Sequence, residues 1–196
     1  MPINVPIILT WLRIAMIPLV VGLFYLPESW MSVPTRDSFA AWAFIIAALT
    51  DWFDGWLARR WNQTSAFGAF LDPVADKLMV AVTLFLLVQS HPTVLLAITA
   101  AIIVGREIAV SALREWMAFV GERTRVNVMW IGKIKTVMQI IALLVLLAQH
   151  DAPALRVYHV GEALLVVAAV LTIWSGLAYL RAAWPVLRVE SPRENT

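Results

Sequence analysis

Residues 51–77 read DWFDGWLARRWNQTSAFGAFLDPVADK, which sets four carboxylates, Asp51, Asp54, Asp72 and Asp76, into a chain otherwise made of apolar stretches. That pairing narrows the possible folds sharply. Ionised side chains near a bilayer are costly and are kept for function. Four of one sign in one place repel one another unless cations neutralise them. Asp51 and Asp54 are three residues apart, and Asp72 and Asp76 are four apart. On a helix, either spacing puts both side chains on one face. The segment 59–64, RRWNQT, reads as a polar turn. Two antiparallel helices joined there would bring the acidic faces together. Asp51, Asp54 and Asp72 would then be oxygen ligands, which suit a hard cation such as Mg²⁺ or Mn²⁺. Two such ions would nearly offset four carboxylates, and two metals about 3.5–4 Å apart are the arrangement that clamps both oxygens in phosphoryl transfer.

The 196 residues are 61% hydrophobic and only 14% charged, with a mean hydropathy of +0.80. Both fractions lie outside the range of soluble domains and point to a single integral membrane domain. A spanning helix takes about 20 apolar residues, so six spans nearly fill this length. The fold expected is therefore all-α and polytopic, with six transmembrane helices after a short interfacial N-terminal segment. The chain has no cysteine, which excludes disulfides and thiolate metal sites. His91, His150 and His159 are scattered over turns and span ends, which argues against a histidine metal site.

Residues 1–13 lack a long basic stretch, and no small-residue cleavage site follows. They read as a retained interfacial start, with Asn4, Thr10 and Arg13 presented to lipid headgroups. Spans are expected near 7–26 (or 14–26), 39–60, 68–88, 93–120, 128–148 and 157–180. The turns between them are marked by Pro27 and Pro34, by 59–64, by His91-Pro92, by the basic loop 121–127 and by QHDAPA at 149–154. A membrane domain over 1–182 would leave 183–196 as a polar, frayed tail. Trp30, Trp61, Trp130 and Trp184 fall where an aromatic belt would sit.

Lysine and arginine orient the whole. With six spans, all but Arg36 and Arg156 of the 15 lysines and arginines fall on one side. By the positive-inside rule both termini are cytoplasmic, and the acidic cluster lies near the cytoplasmic face.

The positions Asp51, Asp54, Gly55, Ala58, Arg59, Gly68, Asp72 and Asp76 spell D-x-x-D-G-x-x-A-R, eight residues, then G-x-x-x-D-x-x-x-D. This pattern resembles the signature of the CDP-alcohol phosphotransferases, with no departure. The resemblance implies that Asp76 is the general base and also shares a metal. It implies that Asp54, Gly55, Ala58, Arg59 and Gly68 receive the cytidine and pyrophosphate. Small residues do permit close approach, and an arginine fork suits phosphate oxygens. Arg60 reads as a topological anchor. Lys77, next to Asp76, reads as a charge-balancing residue on another face.

A second constellation lies in GREIAVSALREWMA and WIGKIKTVMQ, which carry Arg106, Glu107, Ser111, Arg114, Lys133, Lys135 and Gln139. Arg106 falls about two turns inside an apolar helix, deeper than an end anchor needs. An acceptor bearing its own phosphate would need such cations, and Arg106, Arg114, Lys133 and Lys135 are its candidate ligands. Glu107 would pair with Arg106, Arg114 or Lys133. These segments look like those of the bacterial phosphatidylglycerophosphate synthase branch of the family. That likeness implies transfer of a phosphatidyl group from CDP-diacylglycerol to glycerol 3-phosphate at the inner face of the bacterial cytoplasmic membrane, with CMP released. It also implies a homodimer. Nucleic acid is not an expected partner. Rival readings are a relative taking inositol phosphate, serine or phosphatidylglycerol, a membrane prenyltransferase, and a cation transporter lined by the four aspartates.

Overall fold

The computed structural model describes residues 5–61, 66–121, 130–148 and 154–189, and these form six α-helices and no strand. Within the helices, the side chains of 5–7, 51–59, 61, 66, 67, 69, 130–133, 154, 155 and 187–189 lie outside that description. The helices are α1 (Val5–Phe24), α2 (Val33–Trp61), α3 (Ala66–Ser90), α4 (Val94–Phe119), α5 (Trp130–Leu147) and α6 (Ala154–Val189). Local chemistry places their ends. Pro27 follows α1, and its carbonyl closes a turn with the Trp30 N–H at 2.9 Å. Thr93 caps α4 from an extended conformation (φ −92°, ψ 144°), its hydroxyl accepting from Leu96 N–H. Such a cap satisfies one of the helix's orphan donors. Gly121 follows α4 at φ 84°, the left-handed geometry in which glycine ends helices without a Cβ penalty.

Alternate helices run parallel, in steady register. Thr10 meets Asp72, Arg13 meets Asp76 and Tyr25 meets Gln89 along α1 and α3. Thr93 meets Glu162, Arg106 meets Ser175 and Arg114 meets Tyr179 along α4 and α6. This is the geometry of an up-and-down bundle. The start of α3, the end of α4, the start of α5 and the end of α6 therefore share one end with the start of α1. Tyr25–Gln89 and Thr93–Glu162 tie the opposite end.

Leucines of α3, α4, α5 and α6 fill much of the core, whereas α2 turns small residues inward and large apolar ones outward. On α2, Ala40, Ala43 and Ala47 are buried, while Phe39, Trp42, Ile46 and Leu49 are exposed. Small inward residues let backbones approach closely, as in helix pairs packed within lipid. The outward stripe would be a liability in water. Among the described residues, two helical segments, Val94–Phe119 and Arg156–Val186, are long and apolar enough to cross a membrane, with mean hydropathies of 2.0 and 2.2; Ile8–Phe24 and Ile134–Leu147 are shorter apolar segments.

Three expectations change. α1 is one continuous helix from Val5 through Pro18 to Phe24, so the described residues show no break between the expected interfacial start and the first expected span; Asn4 lies outside them. Thr10 and Arg13 do not face headgroups: each is 1% exposed, held inward by the Asp72 and Asp76 carboxylates. At the other terminus α6 continues beyond 182 to Val189, through Pro185. Ala183 and Val186 bury against Met117 of α4, and that apolar contact carries the helix past the expected boundary. Residues 190–196 lie outside the described residues.

Candidate active site

At the shared end a cavity of about 630 Å³ opens between α2, α3, α4, α5 and α6. Its walls differ in charge. Asp72 and Asp76 come from α3, four residues and one helical turn apart, as their spacing requires. Arg106, Glu107 and Arg114 come from α4, Lys135 and Gln139 from α5, and Tyr179 from α6. Phe44, Ala47 and Ala48 of α2 supply an apolar side.

The acidic wall is held from behind by α1. Thr10 Oγ1 donates to Asp72 Oδ1 at 2.5 Å, and Arg13 Nη1 donates to Asp76 Oδ1 at 2.5 Å. Thr10 and Arg13 are three apart, so they match the one-turn step between the two aspartates. The Asp76 side chain remains 42% exposed while that of Arg13 is 2% exposed. The guanidinium therefore braces the carboxylate from the protein side and leaves it accessible. A buried arginine is tolerable only with such a partner.

The basic wall is built differently. Lys135 Nζ pairs with Glu107 Oε1 at 2.8 Å, and Gln139 Nε2 donates to the same oxygen at 3.2 Å. Arg106 Nη2 donates to Ser175 Oγ at 2.6 Å, and Arg114 Nη2 to Tyr179 Oη at 2.5 Å. Both guanidinium groups also lie over the Tyr179 ring, 5.7 and 4.7 Å from its centroid. Lys77 Nζ donates to Ser111 Oγ across to α4.

The sequence-derived candidates divide as follows. Asp72, Asp76, Arg106, Arg114 and Lys135 line this cavity. Lys77 lines it as well, rather than turning to another face, because α4 closes over α3 here. Glu107 pairs with Lys135, a partner not expected of it, since α5 presents that lysine directly opposite. Gly68 is buried on α3. Asp51, Asp54, Gly55, Ala58 and Arg59 lie on α2 and Lys133 on α5, but their side chains are outside the described ones. The polar turn at 62–65 is likewise outside the described residues.

Four residues escaped sequence reasoning as site components: Thr10 and Arg13 on α1, Ser175 and Tyr179 on α6. Each pair carried a signal, two polar groups at helical spacing inside an apolar helix. What no pattern in the sequence marked was the neighbour each pair would meet.

Chemically, the acidic wall offers hard oxygen donors. The carboxylates of Asp72 and Asp76, one turn apart, fit a divalent cation of the Mg²⁺ or Mn²⁺ type. Among the described residues no group of three or more His, Cys, Asp or Glu converges. A fuller ligand set would have to draw on Asp51 and Asp54.

A family model described as CDP-alcohol phosphatidyltransferase matches residues 3–174. The CDP-diacylglycerol–glycerol-3-phosphate 3-phosphatidyltransferase of Shigella flexneri serotype 5b (strain 8401) is 51% identical over 183 residues, which cover 93% of this chain and 96% of that one. Proteins of the same name from Salmonella choleraesuis (strain SC-B67) and Escherichia coli (strain K12) are each 50% identical over the same shares.

Proposed function

The chain belongs to the CDP-alcohol phosphatidyltransferase family, and on that premise we propose that it transfers the phosphatidyl group of CDP-diacylglycerol to glycerol 3-phosphate. The products are phosphatidylglycerophosphate and CMP. One observation carries this reading beyond the likeness to its relatives: a single cavity holds carboxylates on one wall and two arginines with neutral partners on the other.

The reaction is a displacement at phosphorus. A hydroxyl oxygen of glycerol 3-phosphate attacks the phosphorus that bears diacylglycerol. The bond from that phosphorus to the oxygen bridging to CMP breaks, and CMP leaves with the electron pair. The hydroxyl proton goes to Asp76, whose carboxylate is exposed to the cavity and aimed by Arg13. Arg106 and Arg114 hold the acceptor's phosphate and so set its hydroxyl toward the acidic wall. Lys135, its charge matched by Glu107, shapes that wall rather than supplying a free cation. Asp72 and Asp76, with Asp51 and Asp54, would hold Mg²⁺ or Mn²⁺, which when bound supplies positive charge for the pyrophosphate oxygens. Gly55, Ala58, Arg59 and Gly68 would receive the nucleotide end, and Lys133 would widen the acceptor's phosphate pocket.

Six membrane passes with both termini cytoplasmic suit this chemistry. The alternating helix directions and the outward apolar stripe support them, and so does the lysine and arginine bias. The acyl chains of the donor then stay in the inner leaflet of the cytoplasmic membrane while the water-soluble acceptor enters from the cytoplasm. The decisive experiment is CMP release by purified protein with CDP-diacylglycerol, divalent metal and a panel of acceptors. Glycerol 3-phosphate should score, and inositol phosphate, serine and phosphatidylglycerol should not. Release with another acceptor alone would reassign the basic wall.

A further inference from the structure

Arg106 and Arg114 are two turns apart on α4, yet what fixes their side chains lies on α6. Ser175 and Tyr179 are one turn apart there and are 0% and 3% exposed. Ser175 Oγ accepts from Arg106 Nη2 and in turn donates to the Thr172 carbonyl at 3.1 Å, which fixes the hydroxyl's direction. Tyr179 Oη accepts from Arg114 Nη2, and its ring lies under both guanidinium groups. Arg106 Nε is buried without a hydrogen-bond partner in the structure, so the Ser175 bond and the ring are what orient that side chain. Gly176, between them, leaves room for the arginine: a Cβ there would stand 3.2 Å from Arg106 Cγ.

The electrostatics are unusual. Two like charges lie against one aromatic ring, and the partners that Ser175 and Tyr179 provide are neutral. The ring quadrupole offsets part of their repulsion, and hydroxyl acceptors aim the guanidinium groups without cancelling their charge. A carboxylate in either place would have done what Glu107 does to Lys135. The result is a pre-set pair of forks whose charge is left for an anion, and pre-organisation of this kind raises affinity by lowering the ordering cost on binding.

We propose that Ser175 and Tyr179 are positioning residues that set Arg106 and Arg114 as a phosphate clamp, and thereby select a phosphorylated acceptor. This rests on the reading that the two arginines bind the acceptor's phosphate. The residues touch no reacting atom. Their effect is on acceptor recognition, through the arginines.

The test uses the full-length purified enzyme and its Tyr179→Phe, Ser175→Ala and Arg106→Ala variants. KM is measured for glycerol 3-phosphate and for CDP-diacylglycerol separately, with inorganic phosphate as a competing anion against the acceptor. Tyr179→Phe keeps the ring and removes one oxygen. It should raise the acceptor KM about five- to tenfold, the scale of one ordinary net hydrogen bond, and weaken phosphate inhibition in parallel. The donor KM should stay within about twofold. Ser175→Ala should do the same more weakly. An unchanged acceptor KM in both variants, with Arg106→Ala still selective for acceptor, overturns this inference alone. Equal changes in both KM values for Arg106→Ala overturn the underlying phosphate-binding reading instead. A fall in kcat with both KM values unmoved in Tyr179→Phe would mark a purely structural tyrosine and also overturns the proposal.

Discussion

The two walls of the cavity solve opposite electrostatic problems. On the acidic wall, α1 brings a fully buried cation and a hydroxyl up behind the aspartates, so charge is braced by charge and the carboxylates keep their exposed side. On the basic wall, α6 brings a hydroxyl and a phenol, so the arginines are aimed but not neutralised. Lys135, on α5, is the counter-example, because Glu107 cancels it within the same wall. A polar site inside an apolar bundle is therefore not one network. It is one region held by ion pairing beside another held by neutral hydrogen bonds, and the second keeps net charge for a ligand.

Four experiments bear on that contrast. The largest effect should come from the acidic wall. Asp76→Asn removes the proposed proton acceptor and should lower kcat about 10³-fold while nucleotide binding, read by titration, persists. If binding is lost as well, Asp76 is chiefly a ligand and the braced carboxylate has another purpose. Next, Lys135→Met leaves the largely buried Glu107 without its cation and should lower stability by about 3 kcal/mol, read as the unfolding midpoint in detergent. Pairing it with Glu107→Gln should recover part of that loss. An undisturbed midpoint in Lys135→Met would dissolve the distinction between the neutralised lysine and the open arginines. Third, Arg106→Ala should raise the acceptor KM about 30-fold, or about 2 kcal/mol, with the donor KM nearly constant. The smallest effect belongs to Arg13→Lys, which keeps the charge but not the fork. It should lower kcat about fivefold and leave both KM values alone, on the scale of one charge-assisted hydrogen bond. A change confined to acceptor KM would move α1 from the acidic wall to the basic one.

Removal of divalent metal by a chelator should abolish CMP release, with Mg²⁺ or Mn²⁺ restoring it. Turnover that survives chelation would overturn the metal-holding role proposed for Asp72 and Asp76.

Much of this was legible before any coordinates. Period and spacing placed six helices, because apolar runs of spanning length, broken by Pro27, by His91-Pro92 and by the glycine at 121, allow little else. The one-turn step between Asp72 and Asp76 placed both on one face of α3. Helix ends were less legible. Polar and basic residues near 181–196 read as a tail, whereas Ala183 and Val186 pack on Met117 and extend α6. That packing depends on α4 lying alongside, which no local pattern reports.

The sequence by itself determined which helices would form, which turns would end them and which spacings would align functional groups, since those follow from the geometry of a single helix. Partnership was decided only in three dimensions. Arg13 on Asp76, Glu107 on Lys135 and Tyr179 beneath two arginines join residues 63, 28 and 65 to 73 positions apart. The physical reason is that a buried charge takes whichever neighbour packing places within about 3 Å, and helix packing, not helix periodicity, chooses that neighbour.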